Sequence, residues 1–236
     1  MWCLLLMLAV GAGYAFAQSR YAYLGQVTAT GVTRVPPQEV VSASGLQVGQ
    51  SLFSLRPRAV VEKVKTIPWV REARLRWAWP NGAIIAVSER TPLALIPHHD
   101  RFLVVDGEGR VLTTTEEVSS WALPLVTGSS PAEITAGEFI RDQAVLEALR
   151  CVAAFPPAWL PRVAEVHAEP GELVVYDLQG LPGLVGAGDA YLGDKIRNLC
   201  AIWEDIQKRG AQAVYVDVRC RDRPIVKLAE GGGEKP

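Results

Sequence analysis

The sequence predicts an α+β protein: an apolar leader, a small strand–helix–helix–strand–strand unit, and a larger mixed β-sheet unit with two helices. Three observations lead there. Residues 73–79 alternate with period two, and a Pro-Asn-Gly turn then leads into a second apolar run, which marks a hairpin. Many short apolar runs between 93 and 228 are separated by Gly, Pro and Asp turns, as in a sheet. Residues 190–209 instead repeat apolar side chains at helical spacing.

In the first unit, 26–31 reads as a strand. Pro36-Pro37 opens a short helix over 38–43, with proline in its first turn. Gly45 to Gly49 makes a turn, and Leu52, Phe53 and Leu55 are core candidates. Pro57 starts a second helix to about Thr66, with Ala59, Val60 and Val64 on one face. In the hairpin Ala73, Leu75, Trp77 and Trp79 share one face, and Glu72, Arg74 and Arg76 the other. Trp79-Pro80-Asn81-Gly82 supplies the turn, 83–87 returns, and Glu89-Arg90-Thr91-Pro92 closes the unit.

In the second unit, strands are expected at 93–96, 102–105, 111–113, 125–126, 163–168, 173–177 and 181–185. Asp106-Gly107-Glu108-Gly109 is a hairpin turn. Helices are expected over 142–155 and 190–209. Leu192, Ile196, Leu199, Trp203 and Ile206 share one face of the latter, and Gly210 stops it. Strands 214–219 and 225–228 end the fold.

The leader, Trp2 to Ala17, is a run of 16 residues without a charge. As a helix it spans roughly 24 Å, against a hydrocarbon core of about 30 Å. Trp2, Leu4, Leu5, Leu6, Leu8, Val10, Tyr14 and Phe16 supply its apolar bulk. Tyr14, Phe16, Tyr21 and Tyr23 cluster at its downstream end, as an interfacial aromatic belt would. The competing reading is a cleaved signal peptide, because Ala15-Phe16-Ala17 fits the small-x-small rule. The retained single-pass anchor is preferred. No basic stretch precedes the run, so charge leaves its orientation undetermined. The expected organisation is anchor and interface (1–23), small α/β unit (24–90), β-rich unit (91–229) and a disordered tail (230–236).

The order helix, Pro68-Trp69-Val70, Trp79-Pro80, Glu89-Arg90-x-Pro92 resembles the hinge between the extracytoplasmic domains of the FtsQ/DivIB bacterial cell-division family. Gly49-x-x-Leu52 followed by Ile67-Pro68-Trp69-Val70 resembles a POTRA domain, a small α/β module found beside membrane machines. The second half continues the likeness. Phe102-x-Val104-Val105-Asp106-x-x-Gly109-x-Val111-Leu112 is similar to the family's first hairpin, and Leu123-Pro124-x-Val126-x-Gly128 to the loop after it. Leu192-Gly193 with Lys195 is similar to the start of its last helix, and Asp217-x-Arg219-x-x-x-Arg223 to its final strands. The leader departs from the pattern in being short and uncharged.

Other constellations carry less. The cysteines are Cys3, Cys151, Cys200 and Cys220, with no metal-type spacing. Isolated buried thiols are the preferred reading, and one disulfide stays open. His98-His99-Asp100 reads as a solvated loop, since His167 is the sole other histidine and zinc takes three or four ligands. Gly183, Gly186 and Gly188 fit neither phosphate-loop fingerprint and read as a turn into a helix capped by Asp189. No nucleophile–base motif is present, so no enzyme activity, metal or cofactor is expected.

The chain has 236 residues and a net charge of −1, which implies no nucleic-acid partner. Charge is nonetheless uneven. Residues 56–76 carry seven basic and two acidic side chains, net +5, and 112–190 are net −8. Solvated faces explain this, as does a basic unit held near anionic headgroups. In the last strands Val214, Val216 and Val218 are expected to face the core, with Tyr215, Asp217 and Arg219 outward. Strand 225–228 is final and so a candidate sheet edge. The resemblance implies a non-catalytic divisome scaffold in the bacterial cell membrane, its bulk outside the cytoplasm at the septum. It implies that this edge takes a strand from FtsB, through Tyr215, Asp217, Arg219, Arg223, Ile225, Val226, Lys227 and Leu228. The FtsB–FtsL coiled-coil pair would thereby be linked to the septal peptidoglycan synthase. Two other readings are a secreted or outer-membrane POTRA protein that binds client strands, and a periplasmic cell-wall enzyme.

Overall fold

The computed structural model describes residues 2–129, 131 and 133–229, with the side chains of 4, 12, 13, 15–18 and 20 outside that description. The expected tail, 230–236, thus lies outside the described residues, as do the side chains of Leu4 and Phe16. The chain separates after Arg90 into two compact units.

The first unit begins with α1 (Trp2–Gln18), 17 residues long. Among the described residues, no helix is long and apolar enough to cross a membrane. Then follow β1 (Gln26–Thr30), α2 (Pro37–Ser44), α3 (Pro57–Val64), β2 (Val70–Ala78) and β3 (Gly82–Glu89). Proline opens both α2 and α3, where its missing N–H costs nothing. The sheet order is β1-β3-β2, with β1 parallel and β2 antiparallel to β3. Val40, Val60, Val64, Ile67, Ala73, Ile85 and Val87 fill the core beneath it.

Two expectations fail here. Phe53 is exposed, while Leu52 and Leu55 pack against the core. On the apolar face of β2 the core stops at Leu75, so Trp77 and Trp79 stand 53% and 94% exposed.

The second unit comprises β4 (Pro92–His98), β5 (Arg101–Asp106), β6 (Val111–Thr115), β7 (Leu125–Thr127), α4 (Gln143–Ala154), β8 (Val163–Glu169), β9 (Glu172–Asp177), β10 (Pro182–Leu184), α5 (Leu192–Arg209), β11 (Ala213–Asp217) and β12 (Ile225–Leu228). They form one nine-stranded sheet, ordered β12-β11-β10-β9-β8-β7-β4-β5-β6. The pairs β4–β7, β7–β8 and β10–β11 are parallel, and the others antiparallel. Helices α4 and α5 touch and share a core with the sheet. Trp203 sits at its centre, with its ring 6.5 Å from Phe155 and 6.3 Å from Trp159.

Local chemistry sets the element ends. The Asp142 carboxylate accepts the Val145 N–H at 3.0 Å and caps α4. Asp106 accepts the amides of Glu108 (2.9 Å) and Arg110 (2.8 Å), and Asp177 treats Gln179 and Leu181 alike, so two hairpins share one side-chain-held turn. Asp189 is not the cap of α5. That position is Tyr191, and Asp189 accepts its N–H at 2.9 Å while pairing with Lys195.

Candidate partner-binding edge

Helix α5 carries the chain to this edge. Gly210 ends it in the left-handed region, and β11 then pairs parallel to β10. After a loop over 218–224, β12 returns antiparallel on β11, with Tyr215 opposite Lys227, Val216 opposite Val226 and Asp217 opposite Ile225. Strand β12 is outermost in the sheet, and all four of its residues are exposed, Ile225 and Leu228 at 57%.

Side chains alternate across β12. Val226 and Leu228 line a groove of about 420 Å³ against Ile202, Ile206 and Ala211, with the Asp205–Arg209 ion pair (2.9 Å) also on its wall. On the other face the Lys227 ammonium lies 5.9 Å from the Tyr215 ring centroid. The edge thus offers a backbone row with an apolar trough on one side and a cationic aromatic pair on the other.

Three expected roles change. Val214 is exposed, because a bulge between Ala213 and Tyr215 breaks the alternation; Val216 and Val218 are buried as expected. Asp217 does not point freely outward: its carboxylate is largely buried and accepts from Arg219 Nη2 at 2.6 Å, Nε at 3.1 Å and the Arg219 backbone N–H at 3.0 Å. The Arg219 hydrogen bond holds the Asp217 pKa below the ordinary carboxylate value, against the opposing effect of burial. Arg219 is therefore spent within the chain. Arg223 is exposed, and its guanidinium has no partner among the described residues.

The sequence reading missed what holds the 218–224 loop. Asn198 on α5 donates its amide to the Arg221 carbonyl at 2.8 Å. The Arg221 guanidinium stacks 4.6 Å from the Tyr191 ring and pairs with Asp222 at 2.8 Å. Asn198, one of only two asparagines in the chain, was the available signal.

The remaining candidates resolve differently. His98, His99 and Glu133 bring ligand atoms within 4.8 Å of one another, and Asp100 is not in the group. His99 and Glu133 are exposed, with His99 Nε2 3.4 Å from the Glu133 carboxylate, and His98 Nδ1 is buried without a partner, so the group lacks the supported shell that metal-bound histidines require. His167 lies elsewhere on the sheet, between Thr127 Oγ1 (2.9 Å) and Glu169 (3.5 Å). Gly183 lies in β10, and Gly186 and Gly188 lead toward α5; the nearby Lys195 ammonium is buried and bound to Asp189 (2.8 Å) and the Ala187 carbonyl (3.2 Å). All four cysteines are free. Burial pushes the Cys151 thiol up to about 12 and Cys200 up to about 11, so neither is a nucleophile at neutral pH. Cys220 is exposed, not buried as expected.

Comparison with known proteins identifies the family. The model of the FtsQ-type POTRA domain matches residues 23–90, and that of the FtsQ/DivIB C-terminal region matches 94–219. Cell division protein FtsQ of Geotalea daltonii is 28% identical over 232 residues, covering 94% of this chain and 83% of that protein. FtsQ of Myxococcus fulvus is 25% identical over 218 residues, covering 90% and 76%. The major extracytoplasmic domain of DivIB from Geobacillus stearothermophilus, 21% identical, covers 51% of this chain and 97% of that one at a TM-score of 0.37, a likeness too distant to bear on the fold. With its two matched regions, the chain belongs to the FtsQ/DivIB family of bacterial cell division proteins, non-enzymatic scaffolds that work with other division proteins.

Proposed function

We propose that this chain is a single-pass divisome scaffold that binds FtsB, and through it FtsL, by β-augmentation at β12, so linking that pair to septal peptidoglycan synthesis. The observation that carries the reading is the outermost position of β12 with every residue exposed. A strand laid along it would gain backbone hydrogen bonds, while alternate side chains entering the α5 trough would set register. Ile225, Val226, Lys227 and Leu228 form the edge, Tyr215 supports Lys227, and Arg223 is the cation left to meet a partner carboxylate. Asp217 and Arg219 hold the strand end. Residues 2–17 serve as the anchor, with both units outside the cytoplasm. The net +5 stretch over 56–76 supports placing the first unit near anionic headgroups.

Val226→Pro removes a backbone donor and forbids part of the strand conformation. Arg223→Glu turns attraction into repulsion, and losing one member of a buried charge pair costs about 2–5 kcal/mol. At 1.4 kcal/mol per decade, binding weakens at least about tenfold. Calorimetry of soluble FtsB with the full chain in detergent measures this. Unchanged affinity in both variants, each still folded by circular dichroism, places the partner site elsewhere.

A further inference from the structure

Outside α1, the large apolar and aromatic side chains that the first unit exposes are Tyr21, Tyr23, Val48, Phe53, Trp77 and Trp79. They do not scatter. Each lies on a segment tied to residues 23–25. Tyr23 bridges to Ser51, Leu24 exchanges backbone hydrogen bonds with Gln50 (2.8 Å) and Gly49 (2.7 Å), and Gly25 donates to the Asn81 carbonyl at 2.8 Å. The Asn81 amide in turn donates to the Tyr23 carbonyl at 3.2 Å. The hairpin tip with its two tryptophans, the 47–53 turn with Val48 and Phe53, and the two tyrosines thus gather at one pole of the unit. It is the pole where the chain arrives from the apolar helix. Ala22 and Leu24 are already buried in the unit, and only 19–21 separate them from α1. Four peptide steps reach at most about 14 Å from Gln18 to Ala22. Exposed arginines, Arg76 on β2 and Arg56 after the turn, flank the pole in sequence.

We infer that this aromatic pole sits in the headgroup layer of the bilayer and fixes the first unit against the membrane surface. The inference rests on the reading of residues 2–17 as a retained anchor. Tryptophan and tyrosine favour the headgroup level, where an apolar body and a polar tip are both satisfied. Phe53 and Val48 supply purely apolar contact. The arginines meet anionic headgroups and bury their stems on the way. An exposed tryptophan pair in water has no such compensation, and on a unit so closely tethered to an apolar helix the nearest apolar phase is the membrane.

Tryptophan quenching in vesicles tests it, with the full chain reconstituted in phosphatidylcholine and phosphatidylglycerol brominated near the glycerol end of the acyl chains. The Trp2→Leu chain reports the pole. Its emission is expected to be quenched, and the added changes Trp77→Ser and Trp79→Ser are expected to abolish that quenching. The chain with Trp77→Ser and Trp79→Ser alone reports the anchor through Trp2. Quenching of Trp2 without any assigned to Trp77 and Trp79 leaves the anchor standing and overturns the pole, as would be found if another protein covered it. No quenching from either overturns both. Quenching at the pole without quenching of Trp2 supports the pole and removes the anchor. Omitting phosphatidylglycerol is expected to weaken quenching at the pole, through the arginines.

Discussion

Glu89 accepts hydrogen bonds from three successive backbone amides, of Thr33 (2.9 Å), Arg34 (3.0 Å) and Val35 (2.9 Å). Such a concave row of N–H groups is an anion site, and here a carboxylate of the same chain fills it. Beside it the Arg90 N–H donates to the Trp69 carbonyl at 2.8 Å, and Arg34 stacks 5.1 Å from the Trp69 ring. The Glu-Arg-x-Pro order was recognisable in the sequence, but its reason was not, because its amide partners lie 54 to 56 residues away. Burial tends to raise the pKa of Glu89; the amides of Val35, Thr33 and Arg34, with the Arg34 charge, outweigh it and hold the pKa below 4.5. A pKa lowered by folding gives stability that is present above the unfolded value and lost as pH falls through the folded one. Unfolding of Glu89→Gln by urea at neutral pH is expected to show a loss of about 1–3 kcal/mol, from weakened bonds to a charged acceptor. As pH falls below the unfolded carboxylate value the difference from the parent chain is expected to shrink, and to vanish once the pH has passed through the lower folded pKa and the parent carboxylate is protonated too. A pH-independent difference would mean that packing and not charge holds the loop.

Elements divide by what local pattern can carry. Helix α5 was legible because its buried stripe is strictly helical, and β12 because a proline and the chain's last apolar run bound it. The start of β11 was not: Val216 and Val218 are buried as the alternation required, but one bulge after Ala213 leaves Val214 exposed, and bulges leave no mark in an alternating run. Nor was the order of nine strands. The parallel neighbours β4, β7 and β8 are set by register between distant segments, and β7 is only three residues long. What fixes β7 is visible at Gly128, which follows it at φ +94; a Cβ there would stand 2.3 Å from the Ala168 carbonyl oxygen on β8. Backbone cannot yield as a side-chain tip can, and a left-handed conformation is costly for alanine. Gly128→Ala is therefore expected to destabilise the second unit by about 1–3 kcal/mol. Thermal unfolding decides it: a midpoint within about one degree of the parent would show that β7 is held by something other than this close approach.

At the scale of the whole molecule, the fate of the leader decides where the protein works. Helix α1, with 17 residues, is about 26 Å long, some 4 Å short of the hydrocarbon core. Mismatch costs fractions of a kcal/mol per Å, and thinning or flanking polar residues absorb it. Against this, Leu5, Leu6, Met7, Leu8 and Val10 are all exposed on the helix, and burying each one is worth about 1.5–3 kcal/mol. The gain exceeds the mismatch several-fold, so the proposed anchor, if retained, would be held in the bilayer despite its length. Signal peptidase competes kinetically, and the small residues at Ala15 and Ala17 give it a site. Retention is expected to win, leaving a mature chain that fractionates with the membrane and resists carbonate extraction. In spheroplasts, external protease is expected to remove the region beyond about residue 24 and leave a fragment in the membrane. A mature N-terminus at Gln18, read by Edman sequencing, would overturn the anchor. It would leave the β12 edge untouched, since that edge is built entirely from residues of the second unit.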